Sequence, residues 1–182
     1  MEGKVILSDK SFQLMIDRLC YELLENYDDF EHVCLIGIQE RGVLLANKIM
    51  KRLDKINKKL VPAYGKLDIT FYRDDYRNRE KPLSAATTEI DFLIEGKKVI
   101  LVDDVLYTGR TVHSALSALQ DFGRPSEVKF LCLVDRRFNR HLPINADFTG
   151  LIVDALDEAY VKVEWLEEGG QVILFSAQNE KE

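Results

Sequence analysis

The chain has 182 residues, 46% of them apolar and 31% charged, with a formal net charge of −6. That balance suits one globular domain over residues 1–182 with a proper core, and it excludes a whole-protein basic field for nucleic acid. No apolar run reaches the length of a bilayer span and the N-terminus lacks the apolar segment of a secretory signal, so a cytoplasmic protein with no membrane partner is expected.

In chain order, Val5-Ile6-Leu7 is a short apolar run, and Ser8 to Ser11 offers helix caps. Phe12, Met15, Ile16, Leu19 and Leu23 then recur at helical spacing, and Asp28-Asp29 ends that helix. Val33 to Ile38 reads as a buried strand, and Arg41 to Lys55 as a second amphipathic helix. Lys66 to Tyr72 alternates like a strand. Arg73 to Glu89 has no periodicity and reads as a charged, mobile loop. Lys98 to Asp103 is a strand and Thr111 to Asp121 a helix, stopped by Gly123 and Pro125. Val128 to Asp135 is another strand. The last third is less regular, with strand candidates at Ala159–Glu164 and Gln171–Phe175. Strands alternating with helices of this length imply βαβ units, an α/β fold with a mainly parallel sheet flanked by helices. Cys20, Cys34 and Cys132 form no CxxC or Cys/His cluster and read as buried, reduced thiols rather than a zinc site.

The segment VILVDDVLYTGRT, Val99 to Thr111, drives an apolar strand into two adjacent carboxylates and then into a Thr/Gly turn that opens a helix. In an open parallel sheet, ligands sit beyond the carboxyl ends of the strands. The free amides of the turn and the helix dipole favour an anion there. Two acids beside an anion cradle suit a sugar phosphate, with the carboxylates accepting hydrogen bonds from vicinal hydroxyls. A pair of capping acids would also open a helix in any α/β protein.

The order of the whole stretch resembles the PRPP-binding motif of type I phosphoribosyltransferases. Gly37 to Gly42 (GIQERG), Asp68 to Asp75 (DITFYRDD), Leu133 to Arg136 and Leu142 to Asp147 follow the same family's order. Together they are similar to its subfamily of pyrimidine operon attenuation regulators that are also uracil phosphoribosyltransferases. The resemblance covers about Val5 to Gly150. It implies the type I phosphoribosyltransferase fold, with a small hood and a flexible loop, and transfer of a phosphoribosyl group from PRPP to a pyrimidine base, uracil first. It implies Mg²⁺ as cofactor, at Asp103 and Asp104.

By the same resemblance, Asp103 and Asp104 hold the ribose hydroxyls, and Val105, Leu106, Tyr107, Thr108, Gly109, Arg110 and Thr111 complete the PRPP motif, Tyr107 to Thr111 around the ribose phosphate. Gln39, Glu40, Arg41 and Gly42 form the pyrophosphate loop. Arg73 joins Asp103 and Asp104 as a catalytic group, ahead of Arg77 and Arg79 on the same loop. Asp135, Arg136 and Val153 receive the base. Three departures stand out: Glu40 replaces the family's Thr, Asn145 its Arg, and Leu151 to Leu156 the segment near the base-binding hood. A carboxylate at position 40 repels pyrophosphate unless it points away or meets the metal.

The alternative is an RNA-binding attenuation regulator on the same fold, sensing nucleotides with weak or no catalysis. The acidic first helix, with Arg18 against Asp17, Glu22 and Glu25, disfavours RNA. The loop Arg136 to His141 is basic and carries Phe138, and Lys48 to Lys59 makes a second basic run. A homodimer is implied by the resemblance.

Overall fold

The computed structural model describes residues 3–74, 86–155 and 159–175. Its elements are β1 (Gly3–Leu7), α1 (Asp9–Asn26), β2 (Val33–Ile38), α2 (Arg41–Ile56), β3 (Ala63–Leu67), β4 (Lys98–Leu106), α3 (Arg110–Leu119), β5 (Glu127–Arg136), β6 (Phe148–Val153), β7 (Tyr160–Trp165) and β8 (Gly170–Phe175). Five strands form one parallel sheet in the order β3-β2-β4-β5-β6. The other three make a smaller antiparallel sheet, β1-β8-β7, so both ends of the described chain meet in one hood.

The physical reasons are local. Ser8 caps α1 by accepting the Ser11 N–H. Phe12, Ile16, Leu19, Cys20 and Leu23 put one face of α1 against the sheet. Val33 to Ile38 is buried on both faces because α1 and α2 cover one side and α3 the other, which is why the strand reads as an unbroken apolar run. Each such side chain contributes about 1.5–3 kcal/mol of burial. All three cysteines are free and buried. No helix among the described residues is long and apolar enough to cross a membrane.

Three expectations are corrected. The strand expected at Lys66–Tyr72 runs instead from Ala63 to Leu67, and Thr70–Tyr72 is a 3₁₀ turn. Asp68 causes the change: its Oδ1 accepts both the N–H and the hydroxyl of Thr70, at 3.0 and 2.6 Å, and so ties the chain into a turn. The strand expected to stop at Asp103 continues to Leu106, because β5 still pairs with it there, Leu106 opposite Asp135. β6 was not expected at all, since Phe148–Val153 contains Thr149 and Gly150 and is only partly buried. Most of the loop at Arg73–Glu89, with Arg77 and Arg79, lies outside the described residues.

One register difference creates the crevice. Pairing between β2 and β4 ends at Gly37 opposite Val102, while β4 and β5 run on for four further residues, from Asp103 to Leu106. The two carboxylates therefore stand just past the end of β2, where the chain turns away into α2. That turn brings α2 onto the backbone of β4. A Cβ on Gly42 would lie 2.2 Å from the Val102 carbonyl oxygen and 3.0 Å from Asp103 Cα, backbone atoms that cannot swing aside. Gly42→Ala should therefore lower unfolding stability by about 1–3 kcal/mol, as overpacking does. Urea unfolding measures this, and an unchanged midpoint would show that α2 can lift off the strand freely.

Candidate functional site

Asp103 and Asp104 are buried, with 8% and 5% of their surface exposed. Asp103 Oδ1 accepts the backbone N–H of Asp104 at 2.9 Å. Asp104 Oδ2 accepts Arg41 Nε at 2.5 Å, and the same guanidinium donates through Nη2 to the Val163 carbonyl of the hood at 3.0 Å. Burial pushes both carboxyls above the usual carboxylate range. Asp104 pushes Asp103 further, and Arg41 holds Asp104 back. Together they form a site that welcomes hydrogen-bond donors and a cation.

The cleft over this pair has two lobes that share Arg73, Asp103, Val105 and Thr111. The acid lobe, about 420 Å³, is bounded by the turn Gln39-Glu40-Arg41 and by Asp68, Thr70 and Ala86. The other, about 520 Å³, is walled by Leu106 to Val112. Gly109 takes a left-handed φ of +88° at the N-cap of α3, a position where no side chain caps the helix. The Arg110 amide donates weakly to Thr108 Oγ1 at 3.4 Å, and the next amides of the first turn, those of Thr111 and Val112, face no capping side chain, which favours an anion there. Arg110 is ion-paired with Asp74 across the mouth of this lobe.

The expected residues converge in large part. Arg41, Asp103, Asp104, Arg73 and the turn Val105 to Thr111 all line the cleft. Gly42 is packed beneath it. Gln39 faces the acid lobe, but its amide donates to the Thr87 carbonyl at 2.9 Å and so holds the return arm of the loop. The Gln39–Glu40 peptide is cis, and Glu40 is exposed without a capping bond. Asp135, Arg136 and Val153 cap the ends of β5 and β6 and line neither lobe. Arg136 is buried with its guanidinium 3.9 Å from the Tyr107 ring centroid, and it donates to the Ala159 carbonyl at 2.7 Å. Its Nε is buried with no hydrogen-bond partner among the described residues.

Arg140 is the functional neighbour that sequence reasoning missed. It donates to the Tyr107 carbonyl and pairs with Asp135. Nothing in the local pattern signals this contact, because it spans 33 positions of the chain. The Val163 carbonyl that receives Arg41 was missed for the same reason, at a separation of 122.

A model of the phosphoribosyl transferase domain matches residues 4–168. The chain is 43% identical over 169 residues to the bifunctional protein PyrR of Elusimicrobium minutum, covering 92% of this chain and 93% of that protein. It is 38% identical over 181 residues to the bifunctional protein pyrR of Enterococcus faecalis, covering 99% and 100%. Among solved structures, a hypoxanthine phosphoribosyltransferase from Staphylococcus aureus superposes with a TM-score of 0.66 at 22% identity, over 87% of this chain and 80% of that one. One from Trypanosoma cruzi gives 0.66 at 16% identity, over 84% and 79%. At these identities the structural likeness concerns the fold.

The raised carboxyls have a consequence for stability. Below about pH 4 an Asp is protonated in the folded and unfolded chain alike, and burial of the neutral group carries no charge penalty. As pH rises the unfolded chain ionises first, so the pair costs stability through the range up to its raised folded value. Asp103→Asn removes that cost and can still accept the Asp104 N–H. The variant should be more stable than the parent by ~2 kcal/mol at pH 8, the gain shrinking toward pH 4. Denaturant titrations at the two pH values test this, and a variant less stable at pH 8 would contradict the electrostatic assignment.

Proposed function

Because the chain belongs to the phosphoribosyl transferase family, we propose that it transfers the phosphoribosyl group of PRPP to uracil, giving UMP and pyrophosphate. The observation that carries this reading is the juxtaposition of a buried carboxylate pair with an uncapped helix N-terminus in one cleft. A ribose phosphate presents vicinal hydroxyls on one side and a dianion on the other, and the two lobes offer acceptors to the first and donors to the second.

Asp103 and Asp104 accept the ribose hydroxyls, and the amides of Thr108 to Thr111 hold the 5-phosphate. Pyrophosphate lies toward Gln39–Gly42, where Arg41 offers a charged fork. As the bond to the anomeric carbon stretches, positive charge grows on the sugar and negative charge on the leaving group. Cations placed before the event, Arg41 and Arg73, stabilise the second of these. Arg41 must then trade Asp104 and Val163 for phosphate oxygens, which releases Asp104 to its own ligand at the same moment. Val105 and Leu106 form the floor beneath the sugar, and the base lies past Tyr107, near Arg136 and Val153. Asp135, whose Oδ1 is taken by Arg140, reaches the base through its second oxygen.

The donor set suits Mg²⁺. No group of three or more His, Cys, Asp or Glu among the described residues forms a closed cage, and Mg²⁺ in phosphoryl sites takes one or two carboxylates and completes its shell with substrate oxygens and water. Asp103 and Asp104 would hold it, and it would neutralise charge on the departing pyrophosphate. Free buried thiols suit a reducing cytoplasm. Leu14 and Tyr21, exposed on one face of α1 two turns apart, support a homodimer through that face.

A second reading, regulation through RNA, has one favourable observation. Phe138 stands 71% exposed in the basic loop, with a φ of +81° and the Arg137 guanidinium 5.6 Å from its ring. An aromatic held out to solvent beside a cation can stack on an unpaired base. The run Lys48–Lys59 is less available: Lys48 bonds to hood carbonyls, Lys51 pairs with Glu168, and Arg52 pairs with Asp17. Arg18 is likewise spent on the Thr149 and Gly150 carbonyls. Loss of single-stranded RNA affinity in Phe138→Ala would support this reading.

The decisive experiment is formation of UMP from uracil, PRPP and Mg²⁺. Asp104→Asn should cut the rate by about 10²–10³-fold. Arg41→Ala should weaken PRPP by about tenfold or more while changing UMP binding little, since UMP carries no pyrophosphate. No product from any pyrimidine base, with PRPP still bound, would overturn the enzymatic reading in favour of a sensing role.

A further inference from the structure

We propose that Arg140 is a positioning residue that holds the phosphate cradle in its donating orientation, an inference that rests on the sugar-phosphate reading of the cleft. A trans peptide points its C=O and its N–H in opposite directions. The only cis bond among the described residues is Gln39–Glu40, so the peptides on either side of Thr108 are trans. The Tyr107 carbonyl accepts from Arg140 Nη1, and the Thr108 carbonyl accepts the backbone N–H groups of His141 and Leu142 at 3.0 and 3.2 Å. Both carbonyls are thereby turned toward segment 140–142, behind the lobe. The N–H groups of the same two peptides, those of Thr108 and Gly109, are thereby turned the other way, into the lobe. Neither donates to another group among the described residues.

Arg140 is anchored in turn. Its second Nη donates to Asp135 at the end of β5, and the two side chains are only 21% and 16% exposed. Leu142 and Ile144 sit behind Gly109, 3.4 Å from where its Cβ would be. The cradle is thus clamped between β5 and the 140–144 segment. Without the guanidinium the Tyr107 peptide is free to flip, and a flipped peptide presents a carbonyl oxygen to the phosphate. Arg140 itself lines neither lobe and acts through the Tyr107 carbonyl.

The test uses calorimetric titration with ribose 5-phosphate and, separately, inorganic pyrophosphate, together with steady-state kinetics on PRPP. Arg140→Ala should weaken ribose 5-phosphate by about tenfold, and raise the KM for PRPP by a like factor with kcat changed far less, as loss of uniform binding requires. Pyrophosphate affinity should stay at the parental value, because its turn is held by other groups. Arg140→Lys, a point charge without the fork, should fall between Arg140→Ala and the parent. Unaltered ribose 5-phosphate affinity in a folded variant, or an equal loss for pyrophosphate, would overturn the proposal. Should Arg140→Ala fail to fold, Arg140→Met, which keeps the aliphatic stem and removes the fork, decides by the same criteria. A parent protein that binds neither ribose 5-phosphate nor PRPP would overturn the underlying reading instead.

Discussion

Two adjacent carboxyls buried side by side at the end of β4 govern the arrangement of everything around them. Neither carboxylate has enough partners to offset its loss of water. Asp103 receives the Asp104 amide, and Asp104 receives the Arg41 guanidinium and backbone amides, yet burial still pushes both carboxyls up. A hydrophobic pair at these positions would make a more stable protein. The pair faces a cleft, so the cost of its burial stands where a group bearing hydrogen-bond donors or a cation could relieve it.

The neighbouring elements follow from that constraint. β2 must stop short to leave the acids uncovered, and α2 must begin at once and close to β4, which only a residue without a side chain at position 42 permits. Arg41, the first residue of α2, is thereby delivered to Asp104. It reaches on to the hood, so one guanidinium ties the parallel sheet to the antiparallel one through the acid. The anion lobe relies on backbone rather than side-chain donors, and backbone donors are only as well aimed as the carbonyls behind them. The ring of Tyr107 lies against Arg136 and its carbonyl against Arg140, so the cradle meets the β5 end from both sides of one residue.

Legibility in the sequence followed the range of the forces. α1, α2 and α3 were readable because their periodicity expresses burial of one face, and β2 because burial of both faces leaves an unbroken apolar run, signals carried within each segment. The order of acids, small residues and hydroxyls from Asp103 to Thr111 was readable because one turn builds that part of the site. Lys66–Tyr72 was misread because alternation ignored what Asp68 does to its own backbone. β6 escaped notice because an edge strand with a half-exposed face carries no strong pattern, its outer carbonyls being satisfied by Arg18 from α1. The Val163 carbonyl that receives Arg41 and the Tyr107 carbonyl that receives Arg140 were invisible because each lies far along the chain, and only the folded sheet brings them together.

The hood joins Gly3 to Phe175 and places β8 between β1 and β7. During synthesis, β1 leaves the ribosome first and must wait for β8 before its backbone is paired. The five-stranded sheet, by contrast, pairs strands much closer in the chain, the widest span being β2 with β4, Val33 opposite Lys98. The acid pair and the turn after β4 are therefore translated while Arg41 still lacks the hood carbonyl of Val163 that receives it. Closing so long a loop is entropically costly and slow compared with the local βαβ pairings. The order of emergence thus keeps the cleft unfinished until β7 and β8 have been translated.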